Sequence, residues 1–303
     1  MKDYSDYNEF DAVSEIVAEL ELAQVTRHLE RVSCTNISGE IISAIKWGTA
    51  EPEVVFLHGA GQNAHSWDAT ALVLARSAIA IDLPGHGHSS WREDQDYSPH
   101  QNAEILADVI AQFAPAAQII VGMSLGGSTA VRIAALRPEL VRKICLVDVT
   151  PGARKAAQTM AAASRGSVAL IAGPRNYPSF DAMADAAIGV NPKRAPAATR
   201  RGVRHNARQL ANGSWTWRYD RLDQGNPARA VQFDELWEDV SKIKAPLMLV
   251  RGGKSKFVTD EDEREMRRRQ PGIRVEVVAQ AGHSVQNYAP HALAALIDDF
   301  LLN

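Results

Sequence analysis

Residues Gly122-Met123-Ser124-Leu125-Gly126-Gly127 follow the apolar run Ala117-Gln118-Ile119-Ile120-Val121 and precede a helix-like stretch that runs to Arg137. A serine between glycines at a strand-to-helix turn is a nucleophile elbow, in which small neighbours let the backbone turn sharply enough to hold the hydroxyl above a sheet. Short Gly-x-Ser-x-Gly matches recur by chance, so it is the placement between a strand and a helix that makes this one specific. A serine hydroxyl is a weak nucleophile at neutral pH and needs a base within hydrogen-bond reach. His283 supplies one, in Ala281-Gly282-His283-Ser284, just after the alternating run Ile273-Arg274-Val275-Glu276-Val277-Val278. His58, His65, His86 and His88 all precede Ser124, whereas the motif order puts the histidine last. His205 falls in an arginine-rich helical stretch and is expected in solvent.

Attack on a carbonyl creates an oxyanion that needs donors. The Leu125 amide, directly after the nucleophile, is the first candidate. The second lies where Val54-Val55-Phe56-Leu57 runs into His58-Gly59-Ala60-Gly61, and the Ala60 amide is the choice there, between two glycines that permit close approach. A plain tight turn is the alternative use of that glycine pair.

His58-Gly59, Ser124 and His283, together with Ile81-Asp82-Leu83-Pro84-Gly85-His86-Gly87-His88-Ser89, resemble in kind and order the motifs of the α/β-hydrolase superfamily. The likeness extends from about Val32 to the C-terminus. It is greatest to single-chain bacterial hydrolases with a helical lid: esterases, lactonases, carbon–carbon bond hydrolases and cofactor-free perhydrolases. Dehalogenases and epoxide hydrolases share the lid but use an aspartate nucleophile, so Ser124 argues against them. The resemblance implies an eight-stranded, mostly parallel sheet with helices on both faces, and a lid inserted after the sixth strand.

One position departs from the family pattern. Relatives usually carry the triad acid after the seventh strand, where this chain reads Val250-Arg251-Gly252-Gly253-Lys254-Ser255, with Ser255 in the place of the aspartate. Some members place the acid after the sixth strand, and Lys143-Ile144-Cys145-Leu146-Val147-Asp148 offers Asp148 there. A carboxylate at the end of an apolar strand is costly to bury without a partner, and His283 is the natural one. A loop or helix cap is the alternative role. Asp260 and Asp262 are weaker rivals, because Thr259-Asp260-Glu261-Asp262 reads as the acidic first turn of a helix.

Short apolar runs alternate with helical patterns, the signature of a mostly parallel sheet. Strands are expected near 31–36, 41–46, 53–57, 78–82, 117–122, 142–148, 246–251 and 273–278, the first two as an antiparallel pair. The 303 residues then divide into an amphipathic helical extension (1–30), a hydrolase core (31–150 and 241–303) and a helical lid (151–240). Between 191 and 208 the lid holds Lys193, Arg194, Arg200, Arg201, Arg204 and Arg208 without an acid. These could form a cationic rim for an anionic substrate or a solvated helix face. In the extension Phe10, Val13, Ile16, Val17 and Leu20 recur at helical spacing among Glu9, Glu15, Glu19 and Glu21. That helix could lie against its own basic lid or against another subunit in a homodimer.

A net charge of −3 gives no reason to expect nucleic acid, and no apolar run approaches the roughly 20 residues of a membrane span. The first residues lack the basic and apolar regions of a signal peptide, and neither Cys34 nor Cys145 has metal-ligand spacing, so a cytoplasmic enzyme without metal or organic cofactor is expected. The expected chemistry is cleavage of a small-molecule ester or lactone through an acyl-enzyme. The alternatives are carbon–carbon bond hydrolysis of a vinylogous diketone, and a non-catalytic binding protein on a hydrolase scaffold.

Overall fold

The computed structural model describes residues 7–23, 28–153, 155, 173–192, 194–220 and 235–303. Eight strands form the main sheet: β1 (Leu29–Thr35), β2 (Ile41–Trp47), β3 (Val54–Leu57), β4 (Ala78–Ile81), β5 (Ile119–Met123), β6 (Ile144–Val147), β10 (Leu247–Gly252) and β11 (Arg274–Val278). Their order is β1-β2-β4-β3-β5-β6-β10-β11. β1 pairs antiparallel with β2 and β2 with β4, while the pairings from β4 through β11 are parallel. All eight expected strands are present, within about two residues of the expected limits.

The central strands are buried on both faces, as parallel strands under two helical layers must be. Along β3, Val55 and Leu57 join one core with Leu106, Ile133 and Leu249, while Val54 and Phe56 join the other with Trp67, Val250 and Ile297. The first core is covered by helices Pro99–Phe113, Leu125–Leu136 and Leu236–Lys242, and the second by Asp68–Leu74 and Pro290–Leu302. Cys145 is a buried free thiol in β6.

The segment between β6 and β10 departs from the all-helical expectation. Besides helices Phe180–Val190 and Pro196–Asn206 it forms a small antiparallel sheet of β7 (Asn176–Tyr177), β8 (Ala207–Gln209) and β9 (Trp215–Trp217), in the order β7-β9-β8. Trp215 and Trp217 alternate with polar residues, a period of two that specifies a strand, and Gly213 at φ +83° supplies the turn before it. Tyr177, Met183, Val203 and Trp217 close a separate apolar cluster in this segment.

The N-terminal helix Val13–Glu19 packs on its own chain. Arg201 takes Glu19 through two bonds of 2.8 and 2.5 Å and meets Glu15 at 3.3 Å. Before this helix, Glu9 joins a buried ionic network, pairing with Arg31 at 2.5 Å and with His65 Nε2 at 3.0 Å. Arg31 also holds Asp82, which is fully buried, at 2.8 Å. Burial pushes the Asp82 carboxyl towards its neutral form, but Arg31, together with His58 and the N–H groups of Ala64 and His88, outweighs it and lowers the pKa. Replacing Arg31 by Met leaves that charge without its cation and should destabilise the protein by about 3–5 kcal/mol in urea unfolding. A loss below about 1 kcal/mol would show the network to be dispensable.

Candidate active site

Ser124 follows β5 directly and caps the helix Leu125–Leu136, with φ +51° and ψ −118°. A non-glycine residue there is strained by roughly 1–3 kcal/mol, so the surroundings must hold it. They do so by close approach. A methyl group on Gly126 would lie 2.3 Å from the Leu57 carbonyl oxygen, and one on Gly122 would lie 2.6 Å from the Gly126 carbonyl oxygen. Neither position has room for a side chain, so β3, the elbow and its helix pack backbone to backbone.

His283 lies in the loop after β11, just before the short helix Val285–Tyr288. Its Nδ1 is 2.8 Å from Asp148 Oδ2, and its ring stacks on Phe257 with centroids 3.6 Å apart. Asp148 sits one residue past β6, fully buried, with φ +51°. Its Oδ1 accepts the Gly252 N–H at 2.9 Å, and its Oδ2 also accepts the Ser255 hydroxyl. Ser255 in turn accepts the Phe257 N–H at 3.2 Å. Position 255 therefore does have a part in the site: its hydroxyl braces the carboxylate that approaches from β6. That role was invisible in the sequence, where Ser255 read only as a missing acid. His283 Nε2 is buried without a hydrogen-bond partner among the described residues, and no bond to Ser124 is formed in this structure.

The rival acids lie elsewhere. Asp260 pairs with Arg251 at 2.9 Å, and Asp262 closes a capping box with Thr259, accepting its N–H at 3.0 Å.

Leu125 is the first residue of its helix, so its N–H has no intrahelical acceptor. In the loop after β3 the Gly59 N–H goes to Gln62 Oε1 at 3.2 Å, the Gly61 N–H to His86 Nε2 at 3.1 Å and the Gln62 N–H to the Gly59 carbonyl at 3.1 Å. The Ala60 N–H makes no such bond among the described residues. Ala60 is exposed and lines a cavity with Gln62, Arg194, Thr199, Asn206 and Trp217. This loop adjoins Ser124: a methyl group on Gly59 would lie 3.3 Å from Ser124 Cβ.

Two buried histidines brace the loop. His58 Nδ1 donates to the Gly59 carbonyl at 2.8 Å, and its Nε2 accepts the Leu83 N–H at 2.9 Å. His86 Nδ1 donates to the Pro84 carbonyl at 2.9 Å, leaving Nε2 for Gly61. Burial pushes the His58 pKa down to about 3 and lowers that of His86, so both act as neutral rings. His205, expected in solvent, is instead buried, because the face of Pro196–Asn206 that carries it turns towards the core. It stacks on His65 at 3.8 Å and bonds through Nδ1 to the Tyr7 hydroxyl. Burial and the His65 charge push its pKa down to about 2. For His65 burial also favours the neutral ring, but the Asp68 and Glu9 carboxylates outweigh it and raise the pKa to about 9. Asn206 Nδ2 donates to the Gly61 carbonyl at 2.6 Å and Asn63 Nδ2 to the His205 carbonyl at 3.0 Å, so the segment between β6 and β10 is tied to the loop that carries Ala60.

A family model described as the alpha/beta hydrolase family matches residues 54–296. The chain is 51% identical to the Mycobacterium tuberculosis esterase Rv0045c, over 84% of this chain and 85% of the relative. A crystal structure of that esterase superposes with a TM-score of 0.87 at 44% identity, covering 99% of this chain and all of the other. The 2-(acetamidomethylene)succinate hydrolase of Mesorhizobium japonicum is 27% identical over 87% of this chain and 92% of its own length.

The buried histidines set a pH dependence of stability. His58, His86 and His205 have pKa values below the unfolded value of about 6.5, so their contribution is complete above that pH and is lost as pH falls through the acid range. His65 has the opposite sign, complete below about 6.5 and lost as pH rises towards 9. Urea midpoints should therefore peak near neutrality and fall between pH 6.5 and 4.5, with each histidine adding a slope of up to about 1.4 kcal/mol per pH unit. A flat profile across that acid window would refute the neutral assignments.

Proposed function

Since the chain belongs to the alpha/beta hydrolase family and is an ester-hydrolysing serine hydrolase, we propose that Ser124 is its nucleophile, His283 its general base and Asp148 the acid that orients His283. The reading rests above all on the bond between Asp148 and His283 Nδ1, which leaves Nε2 as the ring nitrogen able to take a proton. Ser124 Oγ attacks the ester carbonyl while His283 Nε2 accepts the hydroxyl proton. The carbonyl oxygen becomes an oxyanion held by the Leu125 and Ala60 N–H groups. The tetrahedral adduct collapses, the C–O bond to the alcohol breaks, and His283 returns the proton to the departing oxygen. Water, deprotonated by His283, then attacks the acyl-enzyme and releases the carboxylic acid with Ser124 restored. Throughout, Asp148 holds the ring in place through Nδ1 and stabilises the imidazolium. The segment between β6 and β10 serves as a lid over the cavity beside Ala60, limiting water and setting the pocket's shape. A catalytically decayed binding scaffold would have no need of a carboxylate held on His283 by two further donors.

Ser124→Ala should abolish fluorophosphonate labelling and cut turnover of p-nitrophenyl esters by about 10⁴- to 10⁶-fold with the fold intact. Retention of a tenth of wild-type turnover would overturn the assignment. Asp148→Asn should lower kcat by about 10²- to 10⁴-fold. Ser255→Ala, which removes only a brace, should cost about tenfold. Because Ser255 Oγ already touches the carboxylate oxygen that meets His283, adding Ser255→Asp to Asp148→Asn should recover at least tenfold of the lost kcat. No recovery, with Asp148→Asn as active as the wild type, would show that Asp148 does not orient His283.

A further inference from the structure

The basic stretch 191–208 separates into engaged and unengaged cations. Arg200 pairs with Asp181 and lies over the Phe180 ring at 4.9 Å. Arg201 takes Glu15 and Glu19, Arg204 lies over Tyr7 at 5.8 Å and Arg208 over Trp91 at 4.4 Å. The Lys193 side chain lies outside the described residues. Arg201 and Arg204, the residues that sequence reasoning would test first for an anionic substrate, line the groove against the N-terminal helix rather than the cavity beside Ala60.

Arg194 differs from them. It lines the cavity that Ala60 borders as well as a groove beside Glu19 and Arg201, and among the described residues its guanidinium makes no hydrogen bond or ion pair. Burial and the charge of Arg201 push its pKa down. Tyr288 and Glu19 only partly offset them, and Glu19 gives both carboxylate oxygens to Arg201. In the same cavity Thr199 is buried with a hydroxyl that has no partner among the described residues. A cation drawn away from water without an anion is costly to keep, and one planar fork of donors beside an unspent hydroxyl matches a carboxylate.

We propose that Arg194, assisted by Thr199, binds a carboxylate carried by the ester substrate, so that the preferred substrates are anionic monoesters. The proposal rests on ester hydrolysis at Ser124 and adds the chemical class of the substrate. Arg194 and the loop that carries Ala60 line the same cavity, so a substrate whose carboxylate meets the guanidinium would place its ester group within that shared space. Acyl-side and alcohol-side carboxylates share this recognition chemistry and are separated by the choice of probe.

The test compares p-nitrophenyl hexanoate with mono-p-nitrophenyl adipate, and phenyl butyrate with 4-carboxyphenyl butyrate, for wild type, Arg194→Gln, Arg194→Lys and Arg200→Gln. Wild type should favour the charged member of at least one pair by about tenfold or more in kcat/KM. Arg194→Gln should raise KM for that member about 10- to 100-fold, the range for hydrogen bonds to a charged group, and leave the neutral ester within about twofold. Arg194→Lys should fall between, and Arg200→Gln should match the wild type. Equal effects on charged and neutral esters, or no preference in the wild type, would overturn the proposal. Calorimetry with adipate reads the anion site without turnover: binding to wild type that is lost in Arg194→Gln supports it, and absence of binding or indifference to the substitution refutes it. Absence of turnover with every ester would instead sink the serine-hydrolase reading, while the calorimetric arm still judges Arg194. Should Arg194→Gln not fold, Arg194→Lys decides, since an unchanged charged-to-neutral ratio would count against a forked contact.

Discussion

An ionised carboxylate cut off from water must find a donor for each oxygen it presents, and Asp148 meets that demand with three loops at once. Gly252 and Ser255 come from the end of β10 and the turn after it, His283 from the loop after β11, and Asp148 itself from the end of β6. If any of these loops moved outward, the carboxylate would lose one of these partners, so their mutual placement follows from the cost of burying one charge. The stacked Phe257 ring then leaves His283 little freedom but to keep Nε2 directed away from the acid. On the proposed roles, chemistry at Ser124 would depend on this bracing even though none of the bracing atoms need touch substrate.

A second ionic arrangement links the segments outside the sheet. Glu9 and Arg31 reach Asp82, whose oxygens also accept the Ala64 N–H at 2.7 Å and the His88 N–H at 3.0 Å, so the loops after β3 and β4 are held by the same group that anchors the N-terminal segment. His65, charged between Glu9 and Asp68, stacks on neutral His205 of the inserted segment. Such buried charges confer position more surely than net stability, because much of their attraction offsets desolvation. Here the position conferred is that of the loop bearing Ala60. Arg201 belongs to this arrangement, and by occupying Glu19 it leaves Arg194 without a carboxylate partner among the described residues.

The eight core strands were legible because each is a short apolar run between turn signals, and Ser124, His283 and Asp148 were legible because strand ends next to glycine or polar residues mark where a parallel sheet presents its loops. Less was legible wherever the deciding contact is remote in sequence. The Trp215-Thr216-Trp217 strand carried its period of two in plain view but was outweighed by the helical neighbourhood. The burial of His205 depends on Tyr7 and His65, and the exemption of Arg194 depends on which of several arginines captures Glu19; no local pattern encodes either. The supporting hydroxyl of Ser255 was hidden for a related reason, since its meaning comes from Asp148, 107 residues away.

The position of the acid follows from sheet geometry. β6 and β10 are parallel neighbours in level register, Val147 opposite Val250, so their carboxyl ends emerge side by side at the roughly 4.8 Å spacing of adjacent strands. A residue just past β6 and one in the turn after β10 can therefore address the same ring nitrogen of a histidine arriving from β11. On the proposed roles the histidine has no such freedom, because its two nitrogens would have to span Asp148 and Ser124 together. The acid has one contact to satisfy and two strand ends from which to satisfy it, and whichever end supplies the carboxylate leaves the other to supply a donor. Ser255 is that donor: an aspartate there would set two carboxylates against each other, whereas a hydroxyl turns the vacated position into support.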